Sequence, residues 1–467
     1  MLKLKFSGAA REVTGSFHII EKDGKNFAID CGMIQGKRKE SYERNRHFPL
    51  PPSDVQSMIL THAHIDHSGN IPTFTSQGFK GDIYSTYATK DLCSIMLPDS
   101  AFVQLKDLEY VNRKRIKQGK APFDPLYTEA QAEAALKQFV PKNLGENFPL
   151  TDGLYAYLLN AGHILGSSMA VVKLKEGNKK IKICFSGDLG RSSLPILKDP
   201  DEVYDVDYLI LESTYGSRDH KAIDTAQDRL SMIITETYRK NGRVIIPVFA
   251  VERAQEMLYV LNQLAIANKI PAMPIFVDSP LAIEATEVFK KHSECFDEKM
   301  MEYIANNNNP FYLELVKYTR DVDESMAINE YKKPCIVLSA QGMCEAGRIL
   351  HHLKNGVDNP NNTILFVGYQ AANTLGRKIV QGDRNIKIFG EPHTVQARVE
   401  KIDEFSGHAG QSDLVEFVKK ASGPKLKKVL LVHGEEDEQA DLMRVLKAAG
   451  IENVYNPEPG YVEVIDP

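Results

Sequence analysis

The stretch Val55-Gln56-Ser57-Met58-Ile59-Leu60-Thr61-His62-Ala63-His64-Ile65-Asp66-His67 decides the reading of this chain. Its first six residues form a short, mostly apolar run of strand type. Three histidines and an aspartate follow within six positions. Histidine fills 13 of 467 positions, so three histidines at fixed places would arise by chance in about 0.01 windows per chain. Where a strand ends, the backbone leaves extended geometry and four ligand-type side chains can converge in one loop. Imidazole together with carboxylate suits Zn²⁺, with Mn²⁺ or Fe²⁺ as alternatives.

Four ligands are too few for two ions, so partners are sought at other strand ends and in glycine-flanked turns. His163 in NAGHILGSS (160–168), Asp188 in CFSGDLG (184–190) and His433 in VLLVHGEED (429–437) have that placement. With His62, His64, Asp66 and His67 they make seven ligands. That number serves a bridged dinuclear site if each ion takes three private ligands and the two share one carboxylate.

Outward from this cluster the chain reads as globular. Hydrophobic residues are 43% and charged residues 25%, which excludes disorder as the main description. No apolar run approaches the ~20 residues that span a bilayer, and the N-terminus alternates like a strand and lacks the pattern of a signal peptide. A net charge of −5 argues against coating nucleic acid with the whole surface but leaves room for a local basic groove. None of the six cysteines pair as C-x-x-C; buried free thiols in a reducing cytoplasm are expected.

Residues 1 to about 85 are strand-rich, with Asp23-Gly24 as a hairpin turn. Helical patterns follow Asn70, and Thr128 is a candidate cap for TEAQAEAALKQFV. From about 207 strands and amphipathic helices alternate, which implies a parallel sheet with crossover helices. His433 must reach the same metals as His67, so the chain must return to its first domain. The expected division is 1–206 and 391–467 as one domain, with 207–390 inserted.

THAHIDHSG, with Asp30 before it and His163 and Asp188 after it, resembles the metallo-β-lactamase superfamily. LILESTYGSRDH, IPVFAVERAQEML, FVDSPLA, LSAQGMCEAGRILHHL, LFVGYQAANTLGRKI, FSGHAGQSDL and VLLVHGEED resemble its β-CASP branch of RNA-processing nucleases. The resemblance covers essentially the whole chain. It implies an α/β architecture: an αββα metallo-β-lactamase sandwich with an inserted β-CASP domain. It implies that His62, His64 and His163 hold one zinc ion, that Asp66, His67 and His433 hold a second, and that Asp188 bridges them. Asp30 is implied as the aspartate orienting the cluster, Glu212 as the acidic residue at the start of the inserted domain, and His408 as the catalytic histidine near the leaving group. Ser339, Gly342 and Met343 lie in a loop resembling the family's phosphate-contacting loop. The chain is expected to be a minimal form, without the KH domains of some archaeal relatives.

The implied chemistry is RNA hydrolysis by a metal-bridging hydroxide attacking the scissile phosphate, with His408 and Glu212 protonating the leaving sugar oxygen. Single-stranded RNA is the expected partner; no membrane is expected, and a homodimer is admitted. RNA grip is expected from a groove between the two domains, where Arg253, Arg348, Arg377 and Lys378 are placed to meet phosphates. His351-His352 read as packing residues, because adjacent helical side chains point apart. Three alternatives stand beside this reading. A small-molecule thioesterase or lactonase would have no use for an inserted domain of this size. A DNA-repair nuclease of the same branch carries valine where this chain has His433. An inactive RNA-binding scaffold would have lost metal ligands, and none of the seven is missing.

Overall fold

The computed structural model describes residues 1–36, 38–220, 223–306, 308–312, 314–368, 370–371 and 373–466. It divides into two compact units: Met1–Ser193, Leu197–Asp219 and Gly407–Pro467 form the first, and Leu194–Ile196 with His220–Ser406 the second. The expected borders at 207 and 391 are therefore displaced. The strand Tyr208–Glu212 is hydrogen-bonded on both sides within the first unit, to Lys179–Phe185 and Lys428–Val432. The strand Arg398–Lys401 closes the sheet of the second unit beside Thr363–Phe366.

Two seven-stranded sheets make up the first unit. One runs Val462–Ile465, Leu2–Gly8, Phe17–Lys22, Lys25–Ile29, Val55–Ile59, Asp82–Ser85, Phe139–Pro141. The other runs Val454–Tyr455, Lys428–Val432, Tyr208–Glu212, Lys179–Phe185, Ser168–Glu176, Leu154–Asn160, Phe148–Thr151. Alternation puts Leu4, Phe6, Ile20, Phe27, Ile29 and Ile59 of the first sheet against Leu158, Val172, Ile183, Ile210, Leu430 and Val432 of the second. Each fully buried aliphatic side chain here contributes about 1.5–3 kcal/mol. The opposite face of the second sheet carries Leu209, Leu211, Val429 and Leu431, packed on Leu414, Val418, Leu442 and Leu446 of the helices Gln411–Ala421 and Glu436–Ala448. Buried on both faces, YLILE (208–212) and VLLV (429–432) are apolar without interruption.

Local signals set the elements that flank the site. Asp23 and Gly24 both take positive φ, 51° and 78°, the pair that a two-residue turn between Phe17–Lys22 and Lys25–Ile29 requires. Thr86 caps the 31-residue helix Tyr87–Lys117 by accepting from Thr89 N–H. Thr128 and Gln131 form a capping box at Glu129–Leu136.

In the second unit six strands are all parallel, in the order Val316–Tyr318, Ile275–Asp278, Cys335–Ser339, Arg243–Pro247, Thr363–Phe366, Arg398–Lys401. Ile246, Val277 and Leu338 pack on Leu230, Ile233 and Leu258 on one face. Ile245, Ile364 and Phe366 pack on Ile349, Leu353 and Ile379 on the other. This is the alternating strand–helix pattern legible from 207 onward. No helix among the described residues is long and apolar enough to cross a membrane.

Candidate metal centre

Parallel pairing sets the address of the site. Ile183 lies beside Tyr208, and Glu212 beside Val432, so three strands of the second sheet end together. Asp188 follows the first of them, Glu212 closes the second and His433 follows the third. In the first sheet Ile29 is paired with Ile59 in parallel, which puts Asp30 next to Thr61 and the histidine run. Asp30 and His433 both turn through the left-handed region, with φ of 61° and 50°. Asp and His tolerate that region better than most residues.

Seven ligand-type residues converge there, five of them nearly or fully buried: His62 0%, His67 1%, His163 2%, Asp188 2% and His433 3% exposed. His64 Nδ1 lies 3.2 Å from both His62 Nε2 and His163 Nε2. Asp188 Oδ2 lies 3.5 Å and 3.6 Å from the same two nitrogens. A tetrahedral ion with ligand distances of 2.0–2.1 Å has ligand–ligand edges of about 3.3 Å, so these four atoms have the dimensions of a zinc shell. Beside it, His67 Nε2 lies 3.2 Å from Asp188 Oδ1, and His433 Nε2 3.5 Å from Asp66 Oδ2. His67 Nε2, Asp188 Oδ1 and His433 Nε2 are buried with no hydrogen-bond partner among the described residues. Buried polar atoms left without partners are uncommon and expensive, and a cation among them removes the anomaly. His62, His64, His163 and Asp188 form one group able to hold a metal ion, and Asp66, His67 and His433 another.

Protonation follows the same logic. Burial and the neighbouring His62 push His64 down to about 3. Burial likewise lowers His62 and His163. Neutral imidazoles keep a lone pair free for a metal. Burial opposes charge on His67, yet Asp188 and Asp30 together lift it well above the ordinary value. Metal binding would displace that proton.

The outer faces of the ligands are held. Asp30 Oδ1 accepts from Thr61 N–H at 2.7 Å, and its Oδ2 meets Thr61 Oγ1 at 2.9 Å and His67 Nδ1 at 2.7 Å. His62 Nδ1 lies 3.1 Å from Thr61 Oγ1, His163 Nδ1 3.2 Å from the Gly407 carbonyl, and His433 Nδ1 3.1 Å from Thr214 Oγ1. Such contacts fix the tautomer and aim each ring. The sequence reading missed Thr61 and Thr214; Thr61 adjoins His62, and Thr214 stands two residues after Glu212.

His408 sits beside this shell. Its Nδ1 lies 3.1 Å from Glu212 Oε1 and 4.0 Å from Asp188 Oδ2, and its side chain is 20% exposed. Burial works against its charge, but Glu212 raises it to about 9. The same Glu212 oxygen accepts from Leu189 N–H at 2.7 Å, and the Glu212 side chain is wholly buried. Glu212 therefore belongs to the first unit and not to the start of the inserted one, because its strand lies between two strands of the second sheet.

The residues expected on RNA lie in the second unit. Ser339 is fully buried and its hydroxyl donates to the Asp278 carbonyl at 2.9 Å; it is turned into the core and away from solvent. The carbonyls of Gly342 and Met343 accept from Gln370 Nε2 and Gly376 N–H. Arg377, in the helix Leu375–Val380, donates to the Gln370 carbonyl at 3.3 Å. Two arginines placed near phosphates by sequence are engaged inside the unit, Arg253 with Glu256 and Arg348 with Asp278. His352 bonds Asp278 at 2.6 Å, and His351 packs against Phe389 with the rings tilted by 43°.

Two facing sheets with a buried histidine–aspartate cluster at their strand ends define a metal-dependent hydrolase, and sequence comparisons place it further. The model described as the metallo-beta-lactamase superfamily matches residues 10–235, the Beta-Casp domain 254–379, and the Zn-dependent metallo-hydrolase RNA specificity domain 392–457. A ribonuclease of Thermus thermophilus is 36% identical over 448 residues, covering 95% of this chain and 96% of that one. An RNase J-like protein of Methanocaldococcus jannaschii is 35% identical, covering 93% of each. The transcription termination factor FttA of the same organism is 30% identical, covering 98% of this chain and 70% of its own. A crystal structure of a protein of unknown function from Enterococcus faecalis aligns over 99% of this chain and 100% of that one, with a TM-score of 0.52 at 11% identity, a likeness of fold alone. The chain belongs to the β-CASP branch of the metallo-β-lactamase superfamily, the metal-dependent RNA-processing nucleases.

Proposed function

We propose that this chain hydrolyses phosphodiester bonds of single-stranded RNA, with one zinc ion on His62, His64, His163 and Asp188, and a second on Asp66, His67, His433 and Asp188. The observation that carries the reading is the seven-ligand cluster with a histidine–carboxylate pair at its edge, His408 3.1 Å from Glu212. Zinc held there would supply a water deprotonated near neutral pH and positive charge against the phosphate. His408 delivers a proton from its ring to the leaving sugar oxygen, and Glu212 keeps that ring charged and aimed. Asp30, itself held by Thr61, holds the ring of His67, and Thr214 that of His433. Gly342, Met343 and Arg377 are the RNA contacts we infer in the second unit; Arg377 and Met343 are part-exposed. RNA is favoured over DNA because the RNA specificity model spans His408 and His433. Five of the six cysteines are buried and none is paired, which supports a reducing, cytoplasmic setting.

The test uses RNA labelled at the 5′ or the 3′ end, and single-stranded DNA of the same sequence, each with and without chelator. RNA should be cut and DNA spared, with cleavage lost on chelation and restored by zinc or manganese. RNA left intact under all conditions, or cut equally with chelator, overturns the reading. The ladder from the two labels separates internal cutting from trimming at the 5′ end.

A further inference from the structure

Behind the cluster, between the two sheets, lies a cavity of about 20 Å³. Its wall includes His18, Asp30, His67, Ser186 and His433, so it touches the rear of the metal shell and not its mouth. Ser16 and Thr61 also line it, together with apolar Ile29, Phe185, Ile210 and Val432. A space of this size admits one water molecule, provided it meets two or more polar partners.

His18 is the unusual member. It lies in Phe17–Lys22, paired with Phe6 on one side and Ile29 on the other. Its ring centroid is 5.2 Å from that of Phe6 and 6.3 Å from that of Phe185. It is 4% exposed, and its Nδ1 has no hydrogen-bond partner among the described residues. Leucine or phenylalanine would fill this aromatic slot without stranding a polar atom. The imidazole makes physical sense only if something in the cavity pairs with it. Asp30, which holds His67 and Thr61, lines the same cavity.

We propose that His18 is a positioning residue for the metal centre: it anchors one buried water that bridges its Nδ1 to the Asp30 carboxylate, and so fixes the Asp30–His67 pair from behind. Asp30 Oδ2 already serves Thr61, His67 and, at 3.5 Å, Ser16, and a water tied to a ring flanked by two phenylalanines adds a further hold on the carboxylate. Partners bonded directly to a metal ligand typically change affinity by 10–100-fold; His18 acts through a water and Asp30, so the lower end, about 10-fold, is expected. The inference rests on the metal reading of the site and not on RNA as the substrate.

The test compares wild type, His18→Phe and His18→Gln as full-length protein. Zinc affinity is measured by competition with a chromophoric chelator, and the wild-type zinc form is crystallised. The expected results are one ordered water in the cavity within hydrogen-bond reach of His18 and Asp30, zinc binding about 10-fold weaker in His18→Phe, and binding within about twofold of wild type in His18→Gln, which restores a polar end. Circular dichroism and melting should show both variants folded. A dry cavity in wild type overturns the proposal, as does wild-type affinity in His18→Phe. If His18→Phe does not fold, His18→Leu takes its place under the same criterion. Wild-type protein that binds no zinc would overturn the metal reading itself, a different failure from equal affinity among the three proteins.

Discussion

His433 directly follows the apolar strand Lys428–Val432 and His408 follows Ser406-Gly407, and the two occupy different chemical places. His433 Nε2 is an unpaired buried atom facing Asp66, whereas His408 Nδ1 is spent on Glu212. His408→Ala should keep its zinc and lose RNA cleavage by ~10²–10⁴-fold; His433→Ala should lose both. Metal analysis beside single-turnover cleavage separates them, and zinc lost from His408→Ala would make it a ligand. The leaving group gives a second check. Bis(p-nitrophenyl) phosphate releases a stable anion that needs no proton, so His408→Ala should be far less impaired on it than on RNA. Asp30 touches no reacting atom, but it holds His67 through Nδ1 at 2.7 Å. Asp30→Asn should weaken zinc binding about 10–100-fold, read by chelator competition.

Loops between strands carry the ligands, and their close backbone contacts are where small changes act. A Cβ on Gly32 would meet the Asp66 carbonyl oxygen at 1.6 Å, an atom that also accepts from Ser16 N–H. Gly32→Ala must therefore push the helix Ile65–Ser68, with Asp66 and His67, off its seat. The expected result is roughly 1–3 kcal/mol of lost stability together with metal loss, seen by urea melts and metal content. In the second unit, Asp278 ends the strand Ile275–Asp278 and ties its surroundings together. It accepts from Thr319, Ser325 and Arg348 and bonds His352. Removing it deprives buried His352, Ser325 and Thr319 of their shared carboxylate and Arg348 of its counter-charge, so Asp278→Ala should cost about 3 kcal/mol. Burial opposes its charge, but these partners, His352 foremost, hold it well below the usual carboxylate value. A depressed value means this stabilisation is present above the unfolded value of about 3.9 and drains away as pH falls below it. Acid melts of wild type should lose that part of their stability, and melts of Asp278→Ala should not.

At the scale of the whole molecule, the first unit is built from three separated stretches of chain. A bound metal stabilises only the folded arrangement. At free zinc a thousandfold above its Kd this is worth about 4 kcal/mol, or about 10 °C for a unit of this size. Chelator should lower the first melting transition by that order, and calorimetry with excess zinc should restore it. A transition indifferent to chelator would mean that the cluster folds without needing a metal.

The residues of the histidine–aspartate cluster were legible in the chain because each stands close after an apolar strand run or in a glycine-flanked turn, a local pattern that survives without knowledge of the fold. The parallel character of the second unit was legible for the same reason: strand and helix periods alternate along the chain itself. The helix caps at Thr128 and the turn at Asp23-Gly24 are equally local. Other features depend on contacts between distant residues. YLILE (208–212) reads as the start of a new domain, and only its pairing with Lys428–Val432, more than two hundred residues on, assigns it and Glu212 to the first unit. Ser339 reads as part of a motif loop, but it ends the strand Cys335–Ser339 and its hydroxyl turns inward to the Asp278 carbonyl in the neighbouring strand. Thr214 meets His433, and His18 faces a cavity closed by the opposite sheet. Sequence determines which residues can bind a metal and which segments can pair; long-range packing decides which partners they meet, because contact energy exists only between atoms that the fold has brought together.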